Sequence, residues 1–473
     1  MRATNGHRLA AAIAAISIVV ASAIGCAPKN VAPSRATPSH PATPSATPSP
    51  TPTLAIGPDG FAVLAGRGSQ VAPAQDRGTG AGLMVDDFGF ELFRKIDAGG
   101  NLCFSPASIA LDLAMVRLGA RGQTATEMDA VLHKLGGDGQ DAEIAALLAG
   151  LASHTEYDDS AYFAAHPDAA ATPDHTSVEP SSELLVSNQA FVQRELALDQ
   201  AYLDRLNGAF GAGVGLLDFK SDPEAARALI NRWAGNRTRG RIPNVLQPGD
   251  VDDSTRLALA NAIYLKAAWQ TPFDPAQTKP RPFKLTADKI ELVQTMAGAV
   301  RSGYSTGTGY RAVELAYGTS GLSMLVVLPS DMKAFSSSLD TARLRAIVDG
   351  EKPYLVDLTL PTFSLNTRFN LTSALGQMGM PSAFSSTADF SGMTTQESLR
   401  LQLVVHQANI DVVEKGTTAA AVTVTGIATT GGGSQTPPRV TFRVDQPFLY
   451  FVFDRSSSTI LFMGRVSDPR TKS

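Results

Sequence analysis

The chain has 473 residues, of which 44% are hydrophobic and 18% charged, with a formal net charge of −4. That balance describes an ordinary soluble globular protein of one large or two ordinary domains, without the basic excess of a nucleic-acid binder and without an acidic tail. Two cysteines and seven histidines are too few for a disulfide framework or a rich metal site.

The first residues read as an address rather than as fold. Arg2, His7 and Arg8 precede an unbroken run of small and apolar residues from Leu9 to Ile24, the charged n-region and apolar h-region of a secretory signal, too short for a dependable membrane span. The run ends "ASAIGC", which resembles a bacterial lipobox, so residues 1–25 are expected to be a lipoprotein signal peptide and Cys26 the lipidated residue. A plain secretory signal with an incidental cysteine is the alternative. Next comes "APSRATPSHPATPSATPSPTPT", a Pro/Ser/Thr/Ala repeat that cannot bury a core and is extended by its prolines. A tether over 26–81 between membrane and domain is therefore expected. With Cys26 used, Cys103 in "NLCFSP" is left without a disulfide partner, and its apolar context predicts a buried, inert thiol.

The folded domain is expected over 82–470. Leu83, Val85, Phe88, Leu92, Phe93 and Ile96 recur at helical spacing before Gly99-Gly100. "SPASIALDLAMVRLGA" offers Ser105 as N-cap with Pro106 at the first helical position, and Thr124 to Glu127 has the form of a capping box. Ser153 to Ser182 is a low-complexity insertion without periodicity; its histidines and aspartates lack metal-ligand spacing, and no metal is expected. Beyond it lie short β-branched apolar runs, "LLVSNQAFV", "TRLALANAIYL", "YRAVELAY", "LSMLVVLP", "YLVDLTLP" and "LQLVVHQANIDVV", with helical stretches such as "DPEAARALINRWAGNRT" between them. "PFLYFVF" and "TILFMGRV" close the chain as a strand pair. Helices first and strands later, interleaved, give an α+β fold with more than one sheet.

Chemistry is sparse. "GYSTG" (Gly303 to Gly307) matches G-x-S-x-G around Ser305, but strand-like residues follow where a nucleophile elbow needs a helix. No phosphate loop, dinucleotide fingerprint or H-E-x-x-H occurs, so neither an enzyme nor a cofactor is indicated. Ser105, Ser108, Asn188, Asn261 and His406 stand out instead as polar residues inside apolar segments. Each must find a hydrogen-bond partner, as a satisfied core group or as part of a network that joins two elements and lets them part. "EKGTTAAAVTVTGIATTGGGSQTPP", Glu414 to Pro438, is strand-like in its first half and loop-like in its second.

Six segments in order, "NLCFSPASIALDLAMVRLGARGQTATEM", "INRWAGNRTRGRI", "LANAIYLKAAWQTPFDPAQT", "VELAYGTSGLSMLVVLP", "HQANIDVVEKGTTAAAVT" and "DQPFLYFVFDRSSSTILFMGRV", resemble the serpins and span almost everything from Leu83 to Pro469. The resemblance implies three β-sheets with eight or nine helices, and an exposed reactive-centre loop over 414–438. It implies an inhibitor of serine peptidases: the peptidase forms an acyl-enzyme on the loop, and the cut loop inserts into the main sheet as a new strand. A non-inhibitory binding or carrier member is the alternative. Glu414, Gly416, Thr417, Ala419, Ala420 and Ala421 match the hinge, with Thr418 departing from the usual glutamate. Ser105, Ser108, Asn261 and His406 match the shutter beneath the main sheet, with Asn188 close by, and Trp269 matches the breach at its top.

The residues themselves bear on insertion. Gly416 to Thr425 holds no charge to desolvate and no proline to remove a ladder donor, and its Thr and Val favour strand geometry. Family hinge-to-bond spacing puts the scissile bond at Thr430-Gly431, with Ile427, Ala428 and Thr429 as alternatives. All are small or aliphatic, and Arg439 lies well past the loop centre, which points to an elastase- or subtilisin-like peptidase. The expected protein is a monomer outside the cytoplasm, on the cell surface or secreted, whose partner is the peptidase it acylates. It makes no contact with nucleic acid and touches the membrane only through a lipid anchor.

Overall fold

The computed structural model describes residues 53–57, 59–154, 182–318, 320–417 and 437–471. Cys26, the signal segment and most of the insertion lie outside them. In chain order the described elements are β1 (Thr53–Ile56), β2 (Ala62–Ala65), α1 (Thr79–Ile96), β3 (Leu102–Phe104), α2 (Pro106–Arg117), α3 (Gly122–Val131), α4 (Asp141–Ala152), β4 (Glu183–Gln193), α5 (Gln200–Phe210), β5 (Gly213–Leu217), α6 (Pro223–Arg237) and β6 (Leu257–Ala268). They continue with β7 (Lys279–Thr286), β8 (Lys289–Gly307), β9 (Tyr310–Ala316), β10 (Leu322–Pro329), α7 (Met332–Ser337), α8 (Thr341–Asp349), β11 (Lys352–Pro361), β12 (Phe363–Asn370) and α9 (Thr372–Met378). The last are β13 (Leu403–Val413), β14 (Gly416–Thr417), β15 (Arg439–Arg443), β16 (Phe448–Asp454) and β17 (Ile460–Val466).

Two hydrogen-bonded ladders organise these strands. The main sheet has 8 strands in the order β1-β2-β5-β4-β6-β14-β13-β12. The second has 9, in the order β15-β11-β8-β9-β10-β16-β17-β3 with β7 paired to β8. β8 is 19 residues long and serves two groups of strands: β7 and β11 along most of its length, β9 at its end. This shared strand runs two of the sheets implied by the serpin resemblance into one ladder.

α2 is buried at every residue. Ser105 caps it, its Oγ accepting the Ser108 N–H at 3.1 Å, while Pro106 occupies the first turn, where no N–H is needed. The capping box read at Thr124 and Glu127 does not form. α3 starts three residues earlier, behind Arg121, and both side chains turn to the 381–389 segment: Thr124 Oγ1 accepts the Asp389 N–H at 2.9 Å, and Glu127 accepts from Ser382 N and Oγ at 2.8 Å each. α6 lies over the main sheet with its own apolar cluster, in which Phe191 meets the Trp233 ring edge-on at 5.7 Å.

The tether expected over 26–81 does not fit its described part, because from Thr53 the chain is built into the fold. β1 and β2 form an antiparallel hairpin, and β2 pairs with β5, so the hairpin adds two strands to the edge of the main sheet. Phe61 is buried against Phe191, ring centroids 5.4 Å apart. Asp59, also buried, accepts from Asn236 Nδ2 at 2.5 Å and pairs with Arg237 at 4.0 Å. The following stretch is held too, since Asp204 Oδ1 accepts the Arg67 N–H at 2.7 Å and Asn207 Nδ2 donates to the Gly68 carbonyl at 2.7 Å. The apolar runs "LAI" and "FAVLA" around "GPDG" are a hairpin pattern, which the proline-rich composition upstream conceals.

Candidate functional site

β6 and β13 are the two strands that matter. Over six register pairs, from Leu403↔Ala258 to Ala408↔Ile263, they lie side by side and parallel. Nearer the other end they part, and β14 stands between them, antiparallel to both: Gly416 pairs with Ala268 and Val413, Thr417 with Ala267 and Val412. The seam is therefore closed over one half and already occupied by two residues in the other.

The occupied end is built around a tight reversal. Gly416 has φ 145°, and a Cβ there would lie 2.1 Å from the Ala267 carbonyl oxygen, so only glycine fits. The Trp269 N–H donates to the Lys415 carbonyl at 3.0 Å and the Phe273 N–H to the Glu414 carbonyl at 2.9 Å, which ties down the turn. The Trp269 indole N–H donates to the Val413 carbonyl at 2.9 Å. The indole stacks on Tyr317 at 4.4 Å with the rings 11° apart. The Tyr317 hydroxyl in turn meets the Thr417 hydroxyl at 2.6 Å, and Thr417 is fully buried. Glu414, Gly416, Thr417 and Trp269 are thus brought together. Tyr317 was not singled out by sequence, where an aromatic before a turn reads as ordinary core.

Beneath the closed half lies the polar set. His406 Nε2 accepts the Ser105 N–H at 3.0 Å, which places the ring proton on Nδ1, and Nδ1 donates to Asn261 Oδ1. Asn261 Nδ2 donates to Asp112 Oδ2 at 3.3 Å. With its carboxamide nitrogen turned to α2, Asn188 donates to Ser108 Oγ at 3.0 Å and to the Ser108 carbonyl at 3.3 Å. Ser105, Ser108, Asn261, His406 and Asp112 are all fully buried. Burial holds His406 near 3, so the imidazole is neutral. Burial likewise pushes the Asp112 carboxyl well above its usual range, the Asn261 hydrogen bond offsetting only part of this. Asp112 is the member that sequence reasoning missed. The signal was its spacing: Ser105, Ser108 and Asp112 fall on one face of α2.

The segment leaving the seam at Thr417 returns at the other ladder, where the Pro438 carbonyl accepts the Leu355 N–H at 2.9 Å and Arg439 pairs with Asp357 at 2.6 Å. Ala419, Ala420, Ala421, Ile427, Ala428, Thr429, Thr430 and Gly431 lie between, outside the described residues. Ser305 is on β8 just before a hairpin into β9, buried, with the Tyr310 hydroxyl 3.4 Å away. A strand follows it, so it is not on a nucleophile elbow. Cys103 is fully buried, and burial raises its thiol to about 12.

A family model described as "Serpin (serine protease inhibitor)" matches residues 84–469. The leukocyte elastase inhibitor of Bos taurus is 32% identical over 396 residues, covering 81% of this chain and 97% of its own. Among solved structures, uncleaved ovalbumin superposes with a TM-score of 0.67 at 26% identity over 82% of this chain and all of its own. Human thyroxine-binding globulin bound to its hormone superposes with a TM-score of 0.68 at 26% identity, over 84% of this chain and 100% of that one.

Proposed function

The chain belongs to the serpin family, and on that premise we propose that it is a protease inhibitor rather than an enzyme. It traps serine peptidases by offering the 414–438 loop as substrate and drawing the cut loop into the β6–β13 seam. The observation that carries this reading is β14, a strand already begun between β6 and β13. Continuing its register, in which Thr417 faces Ala267, sets Thr425 opposite Leu259 and Ile427 opposite Leu257, where β6 begins. The uncharged run Gly416 to Thr425 therefore matches the length of strand available, and a cut at or beyond Ile427 frees enough chain to fill it. Thr423 would arrive opposite Asn261 and His406, its side chain on their face, where its hydroxyl can serve the polar groups that insertion separates.

Thr430-Gly431 remains the proposed scissile bond. Its small residues, and the elastase named for the bovine relative, support a peptidase with a pocket for small or aliphatic side chains. We further propose lipidation at Cys26, an extracytoplasmic monomer and a covalent acyl complex. Incubation with an elastase or a subtilisin at equimolar ratio tests the reading. A complex resistant to denaturing electrophoresis and loss of peptidase activity are expected, with mass spectrometry locating the cut. Cleaved protein alone, with full peptidase activity and no rise in melting temperature after cleavage, would instead favour a binding protein in the manner of thyroxine-binding globulin.

A further inference from the structure

Asp112 has an odd place in the molecule. It is fully buried on α2, seven residues on from the N-cap Ser105 and on the same face. Its Oδ2 accepts from Asn261, and its Oδ1 has no hydrogen-bond partner. The bonds have a direction: Ser105 N–H to His406, His406 Nδ1–H to Asn261, Asn261 Nδ2–H to Asp112. The chain starts and ends on α2 and crosses both strands of the seam on the way. Asp112 thus fixes which way the Asn261 amide points, and so which atom faces His406.

Among the described residues, nothing balances a charge at this spot. Asn261 and, behind it, neutral His406 face it from β6 and β13, and the Tyr202 phenol of α5 faces it as well. The charged residues on other elements packed against α2 are engaged elsewhere. Arg465 of β17 pairs with Asp97, Asp129 of α3 pairs with Arg117 at the far end of α2 itself, and Asp86 of α1 accepts the Ile460 N–H. An asparagine would accept the same bond without a titratable proton.

We propose that Asp112 is a positioning residue that acts through Asn261 and makes opening of the β6–β13 seam respond to pH. Parting the strands admits water beside Asn261 and Asp112. The carboxyl holds its proton more tightly in the closed, dry seam than in the open one, so opening releases a proton. Opening therefore becomes easier as pH rises from the ordinary carboxylate range toward the raised closed-state value. His406 works the other way and on the acid side only, since it gains a proton on opening between its ordinary 6.5 and about 3. Replacing Asp112 separates its response from that of His406. That the same response sets the speed of loop insertion rests on the inhibitory reading; the opening itself does not.

Hydrogen exchange of the uncleaved full-length protein reads the opening directly. The β13 segment Leu403–Ala408 is followed by mass spectrometry from about pH 5 to about pH 9 and corrected for intrinsic exchange, with up to about a tenfold change in opening per pH unit. Opening of this segment is expected to grow more steeply with pH in the wild type than in Asp112→Asn. In Asp112→Asn only the acid-side response of His406 is expected to remain, and in Asp112→Leu the same response with the segment uniformly more open, because Asn261 has lost its acceptor. Should Asp112→Asn fail to fold, Asp112→Ser gives the same comparison. Parallel profiles in wild type and Asp112→Asn overturn the proposal, whatever the loop does with a peptidase.

Discussion

The hydroxyls of Tyr317 and Thr417 meet at 2.6 Å inside the main sheet, with the Tyr317 ring stacked on Trp269. This contact holds Gly416 and Thr417 between β6 and β13. It makes Tyr317→Phe an informative change, because the Thr417 hydroxyl is then left buried without its partner, at a cost of about 1–3 kcal/mol. Gly416 and Thr417 are expected to leave the seam more often. Exchange of the 416–417 amides should rise about five- to hundredfold, and a shift in Trp269 emission should accompany it. Unchanged exchange would mean that the Trp269 backbone bonds alone hold the turn.

Thr417→Arg attacks the same point more severely. Thr417 is fully exposed to the core and not at all to water, so an arginine there must bury a charge or keep the strand out. The expected outcome is a good substrate in place of an inhibitor: cleavage by the target peptidase continues, but no stable complex survives a denaturing gel. Complex formation at the wild-type yield would sink the insertion mechanism.

Glu351 provides a pH test of stability. Burial raises its carboxyl to about 9, helped by the neighbouring Glu314 and opposed by Arg455, which pairs with Glu314 at 2.8 Å. The folded state thus keeps a proton that the unfolded chain gives up above the ordinary 4.5. Stability from this group is complete below about 4.5 and drains away as pH rises toward about 9. Urea unfolding of Glu351→Gln should lose that slope between about 4.5 and about 9. A slope identical to wild type would assign it to other groups.

Much of the site was legible for a physical reason: a polar side chain in an apolar strand is conspicuous, and Asn261 and His406 announce themselves that way. So does an uncharged, proline-free run such as Gly416 to Thr425. Asp112 was hidden because its significance lies in a helical face shared with Ser105 and Ser108, not in its neighbours along the chain. Tyr317 was hidden because its role comes from a side-chain contact with a residue a hundred positions away. The Thr124–Glu127 box misled because the same two residue types can serve a distant segment as readily as their own helix end. The β1–β2 hairpin was obscured by the company it keeps, a proline-rich stretch directly upstream.

That hairpin yields the last prediction. β1 and β2 cover the edge of β5, and Phe61 and Asp59 fasten them to Phe191 and to the end of α6. Phe61→Ala removes a buried aromatic and should cost about 3–5 kcal/mol. Because the loss is local, the hairpin is expected to detach before the rest of the sheet melts. Two effects should then appear together. Protease nicking within 53–65 should precede global unfolding, and the uncovered β5 should present an open strand edge that favours self-association. Limited proteolysis and size-exclusion chromatography of Phe61→Ala, beside a form lacking residues 1–65, read both. If the shortened protein stays monomeric and melts with the wild type, the hairpin is an ornament on the sheet edge rather than its cover.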